Sequence, residues 1–542
     1  MGYGFAQTPK PPFKSSKFEQ LGTELPTPNT YRTGAGAPGP EYWQQRADYK
    51  IKVSLDDANQ SLSGTETITY YNNSPHDLDY IWVQLDQNRF DKESDSYKTE
   101  TFGISENMSS NGSLFDWMAG ISSNGGYAVS NVRDAQGKPL DHLINKTMLR
   151  IDMPQPLKAR GGKFTFSLDW KHQIIDASKM GGRGGFEYFP EDDNYIYEIS
   201  QWFPRMAVYD DHNGWQNKQF LGNGEFALTF GDYEVEITAP ADHIVTATGV
   251  LQNTEDLLTK AQLDRLKKAE TASNPIEIAT EAEAVAREKK KAKDTKTWKF
   301  KAENVRDFAW ASSRKFIWDA MLVPLNDKKV WAMSFYSKEG NPMWGDYSTH
   351  SIAHTLKVYS KYTFDYPYPV AISVNGPVFG MEYPMLSFNG STFCRGEGNA
   401  QLRRALISVI IHEVGHNYFP MIVNSDERQW TWMDEGLNSF CQYLTEKEIP
   451  GQPWAKEYPA GSTYPSRRGP AKNIVRYMRS NPASIVPIMT NSEAIQQFGN
   501  NAYGKPATAL NILRTTIMGE ELFDHAFKKY SQRWMFKHPE PA

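Results

Sequence analysis

His412 and His416 stand four residues apart in Ile411-His412-Glu413-Val414-Gly415-His416, and Trp432-Met433-Asp434-Glu435-Gly436 follows shortly behind. On a helix, side chains at that spacing lie on one face, one turn above the other, so both imidazoles can reach a single ion. Glu413 comes directly after the first histidine and can face the same ion through a water, as a general base does. A catalytic zinc takes three protein ligands and keeps one position open. Glu435, with eighteen residues between it and His416, is the best third ligand. The expectation is one Zn2+ per chain on His412, His416 and Glu435, with Glu413 beside it, and the chemistry is metal-assisted hydrolysis.

Those residues need rigid carriers. Leu402, Ala405, Leu406, Ile407, Val409, Ile410 and Ile411 are apolar nearly all round, the pattern of a buried helix that fixes its imidazoles. A second helical pattern, Glu435 to Leu444, begins at the proposed third ligand. At 542 residues, 39% hydrophobic and 13% aromatic, the chain predicts a well-packed multidomain protein. A formal charge of −5 makes no electrostatic case for nucleic acid. No apolar run approaches the roughly 18 residues that span a bilayer, so no membrane crossing is expected. Cys394 and Cys441 have no CxxC partner and read as buried thiols.

Along the chain, residues 1–41 read as an extended lead-in rich in Pro, Gly, Ser and Thr. Gly4-Phe5-Ala6-Gln7 has the small residues of a signal-peptide stump, which leans towards export, with a cytoplasmic location as the alternative. Residues 42–313 carry strand signals: Asp48 to Val53, Gly64 to Tyr71, Phe164 to Trp170, Tyr233 to Thr238 and Ile244 to Val250. They predict a β-sandwich-like domain. A charged stretch at about 254–293, broken at Ser273-Asn274-Pro275, reads as two helices inserted like a hairpin and solvated. Residues 314–542 start with strand-like Lys329 to Tyr336 and a helical pattern at Thr349 to Tyr362. Next comes a Pro- and aromatic-rich region, Tyr366 to Asn389, and helical patterns return at Ser492 to Met518 and Glu520 to Phe536.

Pro377-Val378-Phe379-Gly380-Met381-Glu382-Tyr383-Pro384 adds a further signal, with Glu382 thirty residues before His412. Together with His412-Glu413-x-x-His416 and Trp432 to Gly436, this segment resembles the M1 family of zinc aminopeptidases, gluzincins of the leukotriene A4 hydrolase and aminopeptidase N type. The resemblance implies a multidomain α+β protein: an N-terminal β-domain, then a thermolysin-like α/β catalytic domain, with the family's C-terminal helical domain mostly absent. It implies that Glu382, with Gly380 and Met381 beside it, binds the free α-amine of a peptide substrate. It further implies that Gln201, in Ser200-Gln201-Trp202, reaches from the β-domain towards the same amine, and that Tyr503 donates to the tetrahedral oxyanion. Phe379 and Tyr383 depart from the family's Gly-x-Met-Glu-Asn pattern, which puts the detailed backbone contacts to substrate in doubt.

The implied reaction is hydrolysis of the first peptide bond of peptides with a free N-terminus, through a zinc-activated water with Glu413 as general base. A thermolysin-type endopeptidase is the alternative. Its usual Asp four residues beyond the third ligand is replaced here by Ser439. Epoxide hydrolysis and a non-catalytic peptide-binding role stay open as further alternatives.

Overall fold

A computed structural model describes residues 28–99, 125–180 and 182–541. Gly4 to Gln7 and most of the lead-in lie outside those residues. The end of the lead-in that is described is fastened down: Arg32 pairs with Asp211 at 2.8 Å and donates to the carbonyl of His538 at 2.7 Å.

The first half of the chain is built of strands. Arg46–Asp56 alternates buried and outward residues along its whole length, as a strand with one covered face must. It lies at the centre of a seven-stranded sheet, between Ser61–Asn72 and Gly231–Pro240. Two four-stranded sheets, one around Leu78–Gln84 and one around Asn194–Ile199, and a two-stranded ribbon of Tyr209–Asp210 and Gly214–Trp215 complete this region. Trp170, Trp202, Trp310 and Phe308 meet edge to face in the core between them. The run Ile244 to Val250, read from sequence as one strand, is two. Ile244–Ala247 pairs with Trp310–Ser313, whereas Val250–Leu251 pairs with Thr295–Val305 in another sheet. Gly249, at φ +94°, makes the bend that separates them.

The charged insertion differs from a solvated hairpin. Helices Lys260–Ala269 and Glu281–Glu288 each begin with a capping box, at Thr259 and Thr280. Between them Ile276–Ala279 is a strand, and it pairs antiparallel with Ile317–Leu325. The insertion therefore forms one edge of the second large sheet. Lys315 pins it there: its fully buried ammonium meets Glu288 at 2.9 Å, Glu339 at 3.0 Å, and Asp192.

That second sheet has six strands, in the order Ile276–Ala279, Ile317–Leu325, Lys328–Tyr336, Val370–Asn375, Leu386–Asn389 and Gly380–Tyr383. The last three come from the region read only as Pro- and aromatic-rich. Short strands buried on both faces, such as Val370–Asn375, leave no alternation to read. Helix Met343–Tyr362 packs across the sheet, and helix Ala400–Gly415 packs between that helix and the Gly380–Tyr383 edge. Among the described residues no helix is long and apolar enough to cross a membrane. Cys394 and Cys441 are buried free thiols.

Candidate active site

Helix Ala400–Gly415 is started by Asn399, whose side-chain oxygen accepts from the N–H groups of Gln401 and Leu402. Its apolar residues Leu406, Ile407, Ile410, Ile411 and Val414 are buried, so the turn carrying His412, Glu413 and His416 is held from every side. Gly415 allows the close approach that this requires: a Cβ there would lie 2.2 Å from the Tyr359 hydroxyl. Glu435 arrives on a π-helical turn, Trp432–Gly436, that runs into helix Leu437–Lys447. Tyr503 stands on a second π-helical turn, Gly499–Gly504. Such wide turns are rare and recur at functional sites.

These elements bring three ligand atoms into a small triangle. His412 Nε2 lies 2.9 Å from Glu435 Oε2 and 3.1 Å from His416 Nε2, and His416 Nε2 lies 3.4 Å from the same carboxylate oxygen. The outer nitrogens are already committed. Gln442 donates its amide hydrogens to the Ser408 carbonyl and to Glu446, so its oxygen faces His412 Nδ1, at 2.9 Å. His416 Nδ1 lies 2.8 Å from the Phe419 carbonyl and 2.9 Å from Asp434, and the carbonyl takes its hydrogen bond. With both protons on Nδ1, two imidazole lone pairs and a carboxylate oxygen converge on one point. Lone pairs so arranged repel one another unless a cation sits between them. Edges of 2.9–3.4 Å suit a tetrahedral ion whose bonds are about 2.0–2.2 Å. The residues present therefore fit zinc.

Burial and neighbours set the charges. Burial, with His416 adding to it, pulls His412 down to about 4. Burial would lower His416, but without a cation between them the carboxylates of Glu382, Asp434 and Glu435 push it up. Burial would raise Glu435, but this proton on His416, together with His412, holds the carboxyl well below the usual range. Burial pushes Glu413 up to about 8, against the pull of His416. A carboxyl held near neutrality suits proton transfer in both directions. Gly380 makes room for Glu413: a Cβ at that position would lie 2.3 Å from Glu413 Oε1.

Glu382 is 3% exposed, and its Oε1 has no hydrogen-bond partner. Carboxylate oxygens of Glu382 and Glu413 lie within 4.8 Å of each other and of a His416 ring nitrogen. Glu382 also belongs to a second group at the same spacing, with Glu225, Glu427 and Asp434. Arg183 pairs with Glu225, and Arg306 pairs with Glu427, which leaves Glu382 and Asp434 without a guanidinium partner. Met381, next to Glu382, is buried with its sulfur 3.1 Å from Arg183. Gln201 sits nearby at φ +46°, but its amide donates to the Tyr383 hydroxyl at 2.8 Å, the side chain next to Glu382 rather than Glu382 itself. Tyr503 reaches the triangle and donates to Glu435 Oε1 at 2.5 Å, with its ring 5.7 Å from that of His412.

Several neighbours escaped the sequence reading. Asp434 was visible as the acid before Glu435, although no spacing rule singled it out. Gln442 lies seven residues beyond Glu435, two turns along the same helical face, and periodicity in a helix from Leu437 could have found it. Glu225 and Glu427 lie in irregular segments some two hundred residues apart, and only the fold joins them. Another acidic group, Asp192, Glu288 and Glu339, is already neutralised by Lys315 and Lys338.

Comparison with known proteins follows the same lines. Residues 347–541 match the Peptidase family M1 domain. Leukotriene A-4 hydrolase of Xenopus laevis is 26% identical over 162 residues, 30% of this chain and 25% of that protein. Aminopeptidase 2 of Candida albicans is 24% identical over 215 residues, 38% of this chain and 23% of that protein. The chain thus spans about a quarter of the length of the curated relatives it matches. In overall fold it is similar to an M1 zinc metallopeptidase of Deinococcus radiodurans, with a TM-score of 0.58 at 15% identity, covering 94% of this chain and 92% of that one. The same enzyme bound to a Tyr-Ser-Ala substrate gives a TM-score of 0.56 at 16% identity, over 94% and 91% of the two chains. The family match thus covers residues 347–541, and the overall fold is similar to that of the M1 zinc metallopeptidases.

Proposed function

We propose that the protein is a zinc-dependent aminopeptidase that removes the first residue of peptides bearing a free N-terminus. The observation that carries this reading is one arrangement: the converging His412, His416 and Glu435 ligand atoms, with Glu413 on one side and the unpartnered, buried Glu382 close by. His412, His416 and Glu435 would hold the ion. Zinc, when bound, supplies positive charge that acidifies water and polarises a carbonyl.

The remaining work falls to the chain. Glu413 takes the proton of the attacking water and returns it to the nitrogen of the leaving peptide. Tyr503 turns its hydroxyl from Glu435 to the developing oxyanion, where a neutral donor gains strength as charge grows. Glu382 accepts hydrogen bonds from the substrate ammonium and limits how far the peptide enters. Glu225, within 4.8 Å of Glu382 across carboxylate oxygens, adds a second acceptor from the β-rich half. Gln201 acts through Tyr383, whose hydroxyl it holds, and so positions the Glu382 strand. The relatives named aminopeptidases, and the Tyr-Ser-Ala substrate of the Deinococcus enzyme, support this class of substrate.

An aminoacyl chromogenic amide and its N-acetylated form test the reading together. The free amine should be hydrolysed and the capped compound should not. Equal turnover of both would favour an endopeptidase. Glu413→Gln should lose activity on the order of 10³-fold or more while retaining stoichiometric zinc.

A further inference from the structure

The cavity beside His412 and Glu413 has a basic wall, and Glu382 is not among its lining residues. This cavity, of about 290 Å³, is lined by His412, Glu413 and Tyr503 and, in the same wall, by Arg404, Arg467 and Arg468. Among the described residues none of these three guanidinium groups has a carboxylate within ion-pair distance. Arg403, one position earlier, is by contrast paired with Glu457 at 3.0 Å. Arg468 lies 4.0 Å above the Tyr503 ring and reaches the Ser439 hydroxyl at 3.4 Å, which ties the basic wall directly to the reacting side. The one acid in that wall apart from Glu413 is Glu446, whose Oε1 is already held by Ser408 and Gln442.

Three unpaired arginines at the mouth of a small cavity call for an anion, and the planar fork of a guanidinium matches a carboxylate. We infer that Arg404, Arg467 and Arg468 receive a carboxylate of the substrate, so that the preferred substrates are short peptides with a negative charge within a few residues of the cleaved bond. This rests on the aminopeptidase reading above and narrows its substrate class. An extended residue spans about 3.3–3.6 Å. Glu382 lies within 4.8 Å of Glu413, which lines the cavity, so a peptide held by its amine at Glu382 passes Glu413 and extends its second or third residue into the space that the arginines line. The cavity lies at the lower limit of the roughly 300–1,000 Å³ typical of small-ligand sites, which also favours a di- or tripeptide over a long chain. A free C-terminal carboxylate and an acidic side chain at the second position offer the same chemistry.

Three peptides separate the sources: Ala-Ala-Ala as the free acid, Ala-Ala-Ala amide, and Ala-Asp-Ala amide, each assayed for kcat/KM on the zinc-loaded enzyme. The free acid should exceed Ala-Ala-Ala amide by about tenfold or more. If Ala-Asp-Ala amide recovers that rate, the arginines also accept a side-chain carboxylate. In the Arg404→Ala/Arg467→Ala variant the acid-to-amide ratio should fall towards one, chiefly through KM. Equal kcat/KM for all three peptides in the wild-type enzyme would overturn the inference and leave the aminopeptidase reading standing. Failure to cleave any of them, or an aminoacyl amide, would overturn both. The wild-type comparison needs no variant, so misfolding of the double variant cannot mask the result.

Discussion

Single atoms decide whether this site works, and Gly380 is the clearest case. Its missing side chain is the space occupied by Glu413 Oε1, since a Cβ would lie 2.3 Å from that oxygen. Gly380→Ala must push the carboxylate away from its position beside His416. A shift of about 1 Å in a reacting group costs on the order of 10²-fold in rate. We expect kcat to drop by that factor with zinc content and melting temperature nearly unchanged. An active Gly380→Ala enzyme would mean that Glu413 has slack and that the observed placement is not the working one. At this scale the sequence was informative wherever chemistry is written in local spacing: His412, Glu413 and His416 share one helical turn, and Glu435 opens the next helix. It was silent on Glu225, Glu427 and the cavity arginines, because charged groups in irregular segments, or in the first turns of a helix as Arg404 is, are indistinguishable from solvated ones until the chain is folded.

Elements place those atoms, and two features of theirs lay beyond a periodicity reading. The π-helical turns at Trp432–Gly436 and Gly499–Gly504 aim Glu435 and Tyr503 at the histidines, yet an inserted residue in a helix leaves the apolar pattern almost intact. The strand Ile276–Ala279 hides between two charged helices because four residues are too few to show alternation. Its neighbour Ile317–Leu325 carries Asp319, which takes hydrogen bonds from Tyr336 at 2.9 Å and from Thr349 on the helix that crosses the sheet. Burial pushes the Asp319 carboxyl up to about 7, although both hydroxyl donors pull it down. A pKa raised on folding means that stability is fully present below the unfolded value, near 3.8, and is lost as pH climbs towards 7. Asp319→Asn removes this titration. Denaturant unfolding from pH 4 to 8 should therefore show the variant gaining on the wild type as pH rises, by roughly 4 kcal/mol at most, and levelling off above 7. A difference that stays flat with pH would show that Asp319 is ionised in the fold at all these values.

The succession of a β-rich half and a mixed half was readable from composition and punctuation, but the way the two are joined was not. The join is made of buried ions and backbone contacts between segments distant in sequence. Arg306 pairs with Glu427, Arg428 bonds Gln84 and Asp86, and Asn424 donates to the Leu228 carbonyl at 2.8 Å. Further along, Gln44 donates to the Phe536 carbonyl at 2.8 Å, and Arg32 reaches the His538 carbonyl. One continuous hydrophobic core runs through both halves. Breaking a buried pair by removing one partner costs about 3–5 kcal/mol, so neither half can open cheaply without the other. Calorimetry should give one cooperative transition for the zinc-loaded protein, and resolved separate transitions would contradict the join described here. Stripping the metal with a chelator should keep that single transition and lower its midpoint. The ion binds only the folded ligand set, and at a hundredfold excess over its dissociation constant it contributes about 2.7 kcal/mol. When the ion leaves, a proton on His416 replaces it as a weaker bridge to the Glu435 carboxylate, so the loss falls on the contact between the histidine helix and the Trp432–Gly436 turn. Restoring zinc should return the midpoint, and Glu435→Ala should abolish the difference between stripped and loaded protein. A midpoint insensitive to chelation in the wild type would place the metal, if bound at all, away from these three residues.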